Sequence, residues 1–247
     1  MNGDIRKFFK IGSGGAGGAG GGKGASSEKK IKKVSKKSSA KQWKVFTDGS
    51  AINNGKRNAK GGIGIFFEDD SEDNVGEPFS YQGKTSNNIC ELEAVRRAID
   101  IVVKKPEYKT GDKILICTDS SYVIDCITKW SNTWEKNGWK RKNRSGKLQP
   151  VKNVDLIKSI KSMYYKYNVL FKHIKAHRNL SEEIKKSSLE YQEWYGNKMA
   201  DKLATDSSKK SYKEFYNENG FSSKSKSFFP SANFSDVSLG AKSNSNC

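Results

Sequence analysis

The sequence is short of several things, and each shortage narrows its class. It has no apolar run of about 18 residues or more, the length a membrane-spanning helix needs. Its amino terminus, MNGDIRKFFKIGSGG, lacks the apolar core of a secretory signal, so export by that route is not expected. Its four cysteines (Cys90, Cys117, Cys126, Cys247) form no CxxC pair, which points away from a disulfide or zinc framework and toward reduced thiols inside a cell. No internal repeat is visible, and nothing in the sequence calls for more than a monomer. Acidic residues are scarce beside basic ones, 27 against 46, giving a net charge of +19 over 247 residues. Hydrophobic residues make up 34% and the mean hydropathy is −0.80, so part of the chain cannot bury enough apolar surface to fold.

The positive excess is not confined to a tail. Residues 1–42 carry eleven Lys or Arg against Asp4 and Glu28, a net +9, which leaves +10 for the remainder. Such a balance favours a polyanionic partner, nucleic acid before an anionic membrane. Residues 12–24 are nearly all Gly and Ala, and 26–41 are a Ser and Lys run, so 1–42 is expected to be a disordered tail. Beyond Lys210 the chain again turns to Ser, Asn and Lys, and 211–247 is expected to be a second one. Residues 43–210 are left as one folded domain.

Within it, WKVFTD (43–48), GGIGIFF (61–67) and residues 76–82 read as strands. Residues 87–105 have apolar positions at helical spacing and stop at Pro106. KILICTD (113–119) is a continuous apolar run ending in a polar pair, as a buried parallel strand would. A helix is expected from Ser120, with Val123, Ile127, Trp130 and Trp134 on one face. Asn153 reads as the cap of a helix through Tyr165, NVLFKHI (168–174) as a last strand, and 197–208 as a closing helix. The order predicts a mixed α/β sheet.

Asp48 and Asp119 each end an apolar strand before a small residue, at the sheet edge where α/β sites are built. If those strands are parallel neighbours, the two anions repel unless a cation lies between them. Glu91 falls in the first turns of the long helix and Asp201 beside the apolar stripe of the closing one. Taken singly, each is more often a cap, turn or solvated residue than a catalytic one. Four carboxylates offering only oxygen suit magnesium or manganese.

The blocks TDGSAINNGKRNAKGGIGIFF, TSNNICELEAVRRAI, CTDSSYVIDCITKW, WEKNGWK, PVKNVDL, HIKAH and GNKMADKLA occur in that order. In this the chain resembles type 1 ribonuclease H over about residues 43–208, with a loop after Asp48 and an NVGEPF segment closer to the eukaryotic members. The resemblance implies a ribonuclease H-like fold, a five-stranded mixed sheet flanked by helices. It also implies an endonuclease that cuts the RNA strand of RNA–DNA hybrids and leaves 5′-phosphate ends, for primer or R-loop removal. Asp48, Glu91, Asp119 and Asp201 would hold two magnesium ions, manganese substituting, and His177 would assist proton transfer or product release. His173, by contrast, matches no motif.

By the same resemblance Asn54, Asn87 and Asn88 lie along the minor groove near the RNA 2′-hydroxyls, which an amide can read as donor and acceptor. Asn54 before Gly55 is also a natural turn residue, and the two roles are compatible. Residues 129–152 carry eight basic residues, one acid (Glu135) and three tryptophans, a mixture suited to a nucleic-acid backbone. In the family this is the basic protrusion on the DNA strand, with Tyr122, Trp130 and Trp134 forming a deoxyribose channel and Lys84, Ser86 and Asn153 a phosphate pocket. Core packing is the competing role for the tryptophans, Trp130 above all.

There are departures from the family pattern. A long stretch, 178–196, separates His177 from Asn197; Ala176 and Arg178–Asn179 replace glycines around the histidine; and Lys198 stands where an acid is common. At the amino end Ile5, Phe8 and Phe9 have the spacing of a sliding-clamp peptide, an unstructured tail being the alternative. The lysine run 29–41 reads as a nuclear import signal or as non-specific affinity. A non-catalytic hybrid-binding module is the rival class, disfavoured because all four carboxylates are present. A domain of the kind attached to reverse transcriptases is a second rival.

Overall fold

The computed structural model describes residues 40–81, 85–176 and 184–218. Five strands form one mixed sheet: β1 (Gln42–Ile52), β2 (Lys60–Phe66), β3 (Val75–Phe79), β4 (Lys113–Thr118) and, at one edge, β7 (Asn168–His173), in the order β3-β2-β1-β4-β7. The pairs β1–β2 and β2–β3 are antiparallel, while β1–β4 and β4–β7 are parallel. This is the α/β sheet the sequence predicts. Two short strands, β5 (Lys140–Lys142) and β6 (Leu148–Pro150), form a separate hairpin that no periodicity announced. Its turn is built by Asn143, whose Oδ1 accepts from the Ser145 and Lys147 N–H groups at 3.1 and 2.9 Å.

The helices cover both faces. On one side α1 (Asn87–Lys104) and α4 (Val154–Lys166) pack Leu92, Val95, Ile99, Ile157 and Ile160 against Val45, Ile63, Ile65, Ile114 and Ile116, all fully buried. On the other side α5 (Leu189–Glu218) covers Phe46, Phe66 and Cys117. Strand alternation explains the division, since Val45 and Phe46 point to opposite faces. Helix α1 begins at Ser86, whose hydroxyl accepts from the Ile89 N–H at 3.3 Å, and ends at Lys105, held extended ahead of Pro106. Between β4 and the hairpin run α2 (Ser121–Asp125), a π-helical turn (Cys126–Trp130) and α3 (Ser131–Lys136), burying Val123 and Ile127 as expected. Among the described residues no helix is long and apolar enough to cross a membrane.

Three expectations need correcting. Helix α5 spans Leu189–Glu218, not 197–208, so the last eight residues of the stretch 178–196 are helical and residues 211–218 belong to the fold. Its far end is fastened by Lys60, whose ammonium lies 3.7 Å from the Phe215 ring centroid. The domain also starts earlier than 43: β1 begins at Gln42, and the Lys41 N–H donates to Asp112 at 2.9 Å. Asn153 is no side-chain cap: it sits at φ +57° and its amide turns away from the helix it precedes.

In β2 the alternation KGGIGIF sends Ile63 and Ile65 to the α1 face and Gly62 and Gly64 to α5. A methyl group at Gly64 would fall on the Ala200 carbonyl oxygen, which backbone cannot yield cheaply. Gly64→Ala is therefore expected to destabilise the fold by about 3 kcal/mol, read by urea unfolding.

Candidate active site

The parallel ladder between β1 and β4 ends at Phe46 and Cys117, but β1 continues against β2, pairing Asp48 with Gly64. The two strands therefore fork, with Asp48 on one arm and Asp119, just past the end of β4, on the other. This corrects the reading of Asp48 as a strand terminus: it lies inside β1 and faces a gap because β4 has left. Gly49 makes the third arm possible, since any side chain there would strike the backbone at Cys90 and Glu91, and without one the start of α1 packs directly on β1. Helix α5, crossing the other face, supplies Asp201.

The electrostatics record this convergence. Asp48 is 9% exposed, and its carboxyl is held well above the usual carboxylate range by burial first, then by the charges of Asp119, Glu91 and Asp201, against one favourable N–H bond from Gly49 at 2.7 Å. Glu91 is pushed up to about 7, again by burial first and by Asp119, against a hydrogen bond from the Ser120 hydroxyl at 2.6 Å. The charges of the three partners thus all act on Asp48.

Among the described residues no three His, Cys, Asp or Glu side chains already form a compact metal-ligand set. Each carboxylate leans on a protein donor: Asp48 on Gly49, Glu91 on Ser120, Asp119 on the Asn197 amide at 3.1 Å, and Asp201 on the Thr205 hydroxyl at 3.4 Å. The donor set still fits a hard divalent cation, being all oxygen and anionic, and a cation relieves the repulsion that raises Asp48 and Glu91. Asn197 supports that fit. It is buried, its amide nitrogen holds Asp119, and its Oδ1 has no partner among the described residues.

Residues the sequence reading passed over hold this centre together. Ser120 accepts from the Val123 N–H at 3.2 Å, capping α2, while donating to Glu91. Asn197 stands one helical turn before Asp201. His173, set aside for want of a motif, places Nε2 3.1 Å from the Asp119 carbonyl oxygen and is exposed at the site's edge. The signals were local adjacency to Asp119 and helical spacing from Asp201.

The residues expected to meet nucleic acid fall around α1 and α2. Asn54 and Asn87 are tied together: the Asn87 N–H donates to Asn54 Oδ1 at 3.2 Å, and Asn87 Oδ1 accepts from the Ala51 N–H at 2.8 Å. This fastens the β1–β2 turn to α1, the turn role foreseen for Asn54. Ser86 is engaged as the α1 cap. Asn88 is exposed and hydrogen-bonds Tyr122, whose hydroxyl also accepts from Asn153 Nδ2 at 3.4 Å. Burial holds the Tyr122 phenol above its ordinary range. Its ring lies 6.4 Å from that of Trp130, which lies 5.6 Å from Trp134, forming an aromatic run that is only partly buried. Beyond it Lys136, Lys140, Lys142 and Lys147 are exposed on α3 and the hairpin. Lys84, His177, Ile5, Phe8 and Phe9 lie outside the described residues.

The RNase H family model matches residues 40–209, and the chain belongs to that family. Its members hydrolyse the RNA of RNA–DNA hybrids and generally use divalent metal ions. Among curated proteins the chain is 34% identical over 160 residues to Ribonuclease H of Schizosaccharomyces pombe, covering 65% of this chain and 50% of that one. It is 32% identical over 148 residues to Ribonuclease HI of Rickettsia conorii, covering 60% of this chain and 88% of that one. Thus it spans half the length of the first relative and most of the second. Among solved structures, LC9-RNase H1, a type 1 RNase H with the type 2 active-site motif, is 20% identical, with a TM-score of 0.49 over 72% of this chain and 81% of that one.

A carboxyl raised from 4.5 to about 7 holds its proton more tightly in the folded than in the unfolded state. Its contribution is therefore complete below about pH 4.5 and is lost as pH rises toward 7. Without divalent cations, Glu91→Gln should melt higher than the parent at pH 8, with the difference vanishing near pH 4. Millimolar magnesium should raise the melting temperature of the parent more than that of the variant.

Proposed function

We propose that this chain is a magnesium-dependent endonuclease that hydrolyses the RNA strand of RNA–DNA hybrids and leaves 5′-phosphate ends. The observation that carries the reading is the convergence of charge on Asp48 from Glu91, Asp119 and Asp201. Three carboxylates acting on a buried fourth destabilise the fold unless cations are there to hold, so the arrangement serves metal binding and not stability.

In this reading Asp48, Glu91, Asp119 and Asp201 hold two magnesium ions, with manganese able to substitute. A metal pair held there would supply water activation and charge stabilisation for the leaving 3′ oxygen. Asn197 fixes the Asp119 carboxylate and Ser120 orients Glu91. Asn54, Asn87 and Asn88 face the RNA side of the groove. Tyr122, Trp130 and Trp134 take deoxyribose, and Lys84, Ser86 and Asn153 a phosphate of the DNA strand. His177 assists proton transfer or product release. The biological setting that fits is primer or R-loop removal by a nuclear monomer tethered to a sliding clamp through Ile5, Phe8 and Phe9.

The test compares labelled RNA–DNA hybrid, double-stranded RNA and double-stranded DNA, with and without magnesium. Only the hybrid's RNA should be cut, and only with the metal. Asp48→Asn and Asp119→Asn should each lose roughly 10³-fold or more in rate, the loss of about 4 kcal/mol of transition-state stabilisation, while hybrid binding survives. Turnover near the parent's by either variant would contradict the assignment. His177→Ala should lose far less than the aspartate variants in the same assay.

A further inference from the structure

Helix α5 crosses the sheet, and its contacts give its heading. Glu193 pairs with Lys172 on β7, Asn197 reaches Asp119 at the end of β4, and Ala200 lies over Gly64 on β2. Trp194 and Lys198 therefore sit where α5 passes from the outer strand β7 to the fork of β4 and β1. Trp194 precedes Asn197 by three residues and Asp201 by seven, so the three share one side of the helix. Lys198, next in the chain to Asn197, is exposed and holds its ammonium 4.8 Å from the Trp194 ring centroid. The Trp194 ring is in turn packed on Tyr191, with centroids 5.6 Å apart. Across the rim stand exposed His173 and Lys175; of the two acids in this first stretch of α5, Glu193 is paired with Lys172 and Glu190 also has a partner.

We propose that Lys198 and Trp194 form a second nucleic-acid grip, on the cleaved strand just beyond the scissile linkage. The basic hairpin and the Tyr122–Trp134 aromatic run stand with α1 and α4 on the opposite face of the sheet, so the carboxylates lie between two basic, aromatic surfaces. The physical need is plain: a polyanionic strand brought to four carboxylates is repelled, and a cation fixed at their edge offsets that repulsion. At 1.5 Å of rise per residue, Lys198 is about 4.5 Å and Trp194 about 10 Å from Asp201 along the helix axis. Both therefore lie within about two turns of α5 from that carboxylate. Lysine meets the phosphate as a point charge, and the indole packed on Tyr191 adds aromatic surface beside it for a sugar or base.

The inference rests on hybrid cleavage, and the experiment separates the two. Lys198→Met keeps an unbranched apolar side chain next to Trp194 but removes the charge, while Lys198→Arg keeps the charge. Steady-state cleavage of a labelled hybrid is followed over a range of salt concentrations, alongside the parent. Lys198→Met should raise KM by about 3- to 10-fold, leave kcat within about twofold, and reduce the salt slope of binding by about one. Lys198→Arg should match the parent in all three. A Lys198→Met protein with the parent's KM and salt slope would overturn the grip while leaving the nuclease reading intact. Failure of the parent to cut the hybrid would overturn both.

Discussion

Four carboxyl groups gathered around a fork in a sheet are the constraint around which this structure is organised. Burial and the charges of Glu91, Asp119 and Asp201 together keep the Asp48 carboxyl far from its ordinary behaviour. Nothing in stability alone calls for such a cluster, which opposes folding through repulsion and lost hydration. What the protein supplies is a set of restraints, one for each carboxylate, from Gly49, Ser120, Asn197 and Thr205. Those restraints give each carboxyl group its own neighbour while leaving all four around the fork.

The surrounding fold serves the same end by bringing backbone unusually close. Gly49 lets the start of α1 rest on β1, and Gly62 and Gly64 let α5 settle onto β2. Gly196 does likewise over the Phe46 ring. Without these approaches α1 and α5 would be pushed outward, carrying Glu91 and Asp201 away from Asp48, and the mutual fields that mark the site would weaken. In the proposed reading the hybrid meets tied asparagines at the β1–β2 turn, aromatics on the α2–α3 segment, and lysines on the hairpin and on α5.

Much of this was legible in the chain. Alternation in KGGIGIF, the helical stripe from Ile89 to Val102 and the apolar run of β4 each follow from local periodicity, and the fold class followed from their order. The four carboxylates were legible through their neighbours in the motif blocks. What local pattern could not tell was which strand leaves its partner first, so Asp48 read as a terminus when it is an interior residue beside a departing neighbour. The start of α5 was hidden because LEYQEWYG is rich in aromatics and carries Gly196, a poor helix residue whose lack of a side chain admits the Phe46 ring. The end of α5 depends on Lys60, far away in sequence. Asn153 reads as a cap by type, but its left-handed backbone turns the amide toward Tyr122. Asn197 is unremarkable in a helix until Asp119, 78 positions away, is found against it.

The central claim, that Asp48, Glu91, Asp119 and Asp201 share divalent cations, is tested most directly by diffraction from crystals of the protein soaked in manganese, using the metal's anomalous signal. Peaks within about 2.3 Å of carboxylate oxygens from both Asp48 and Asp119 are the predicted result. Manganese absent from the fork at millimolar concentration, with the four carboxylates still leaning on their protein donors, would contradict it.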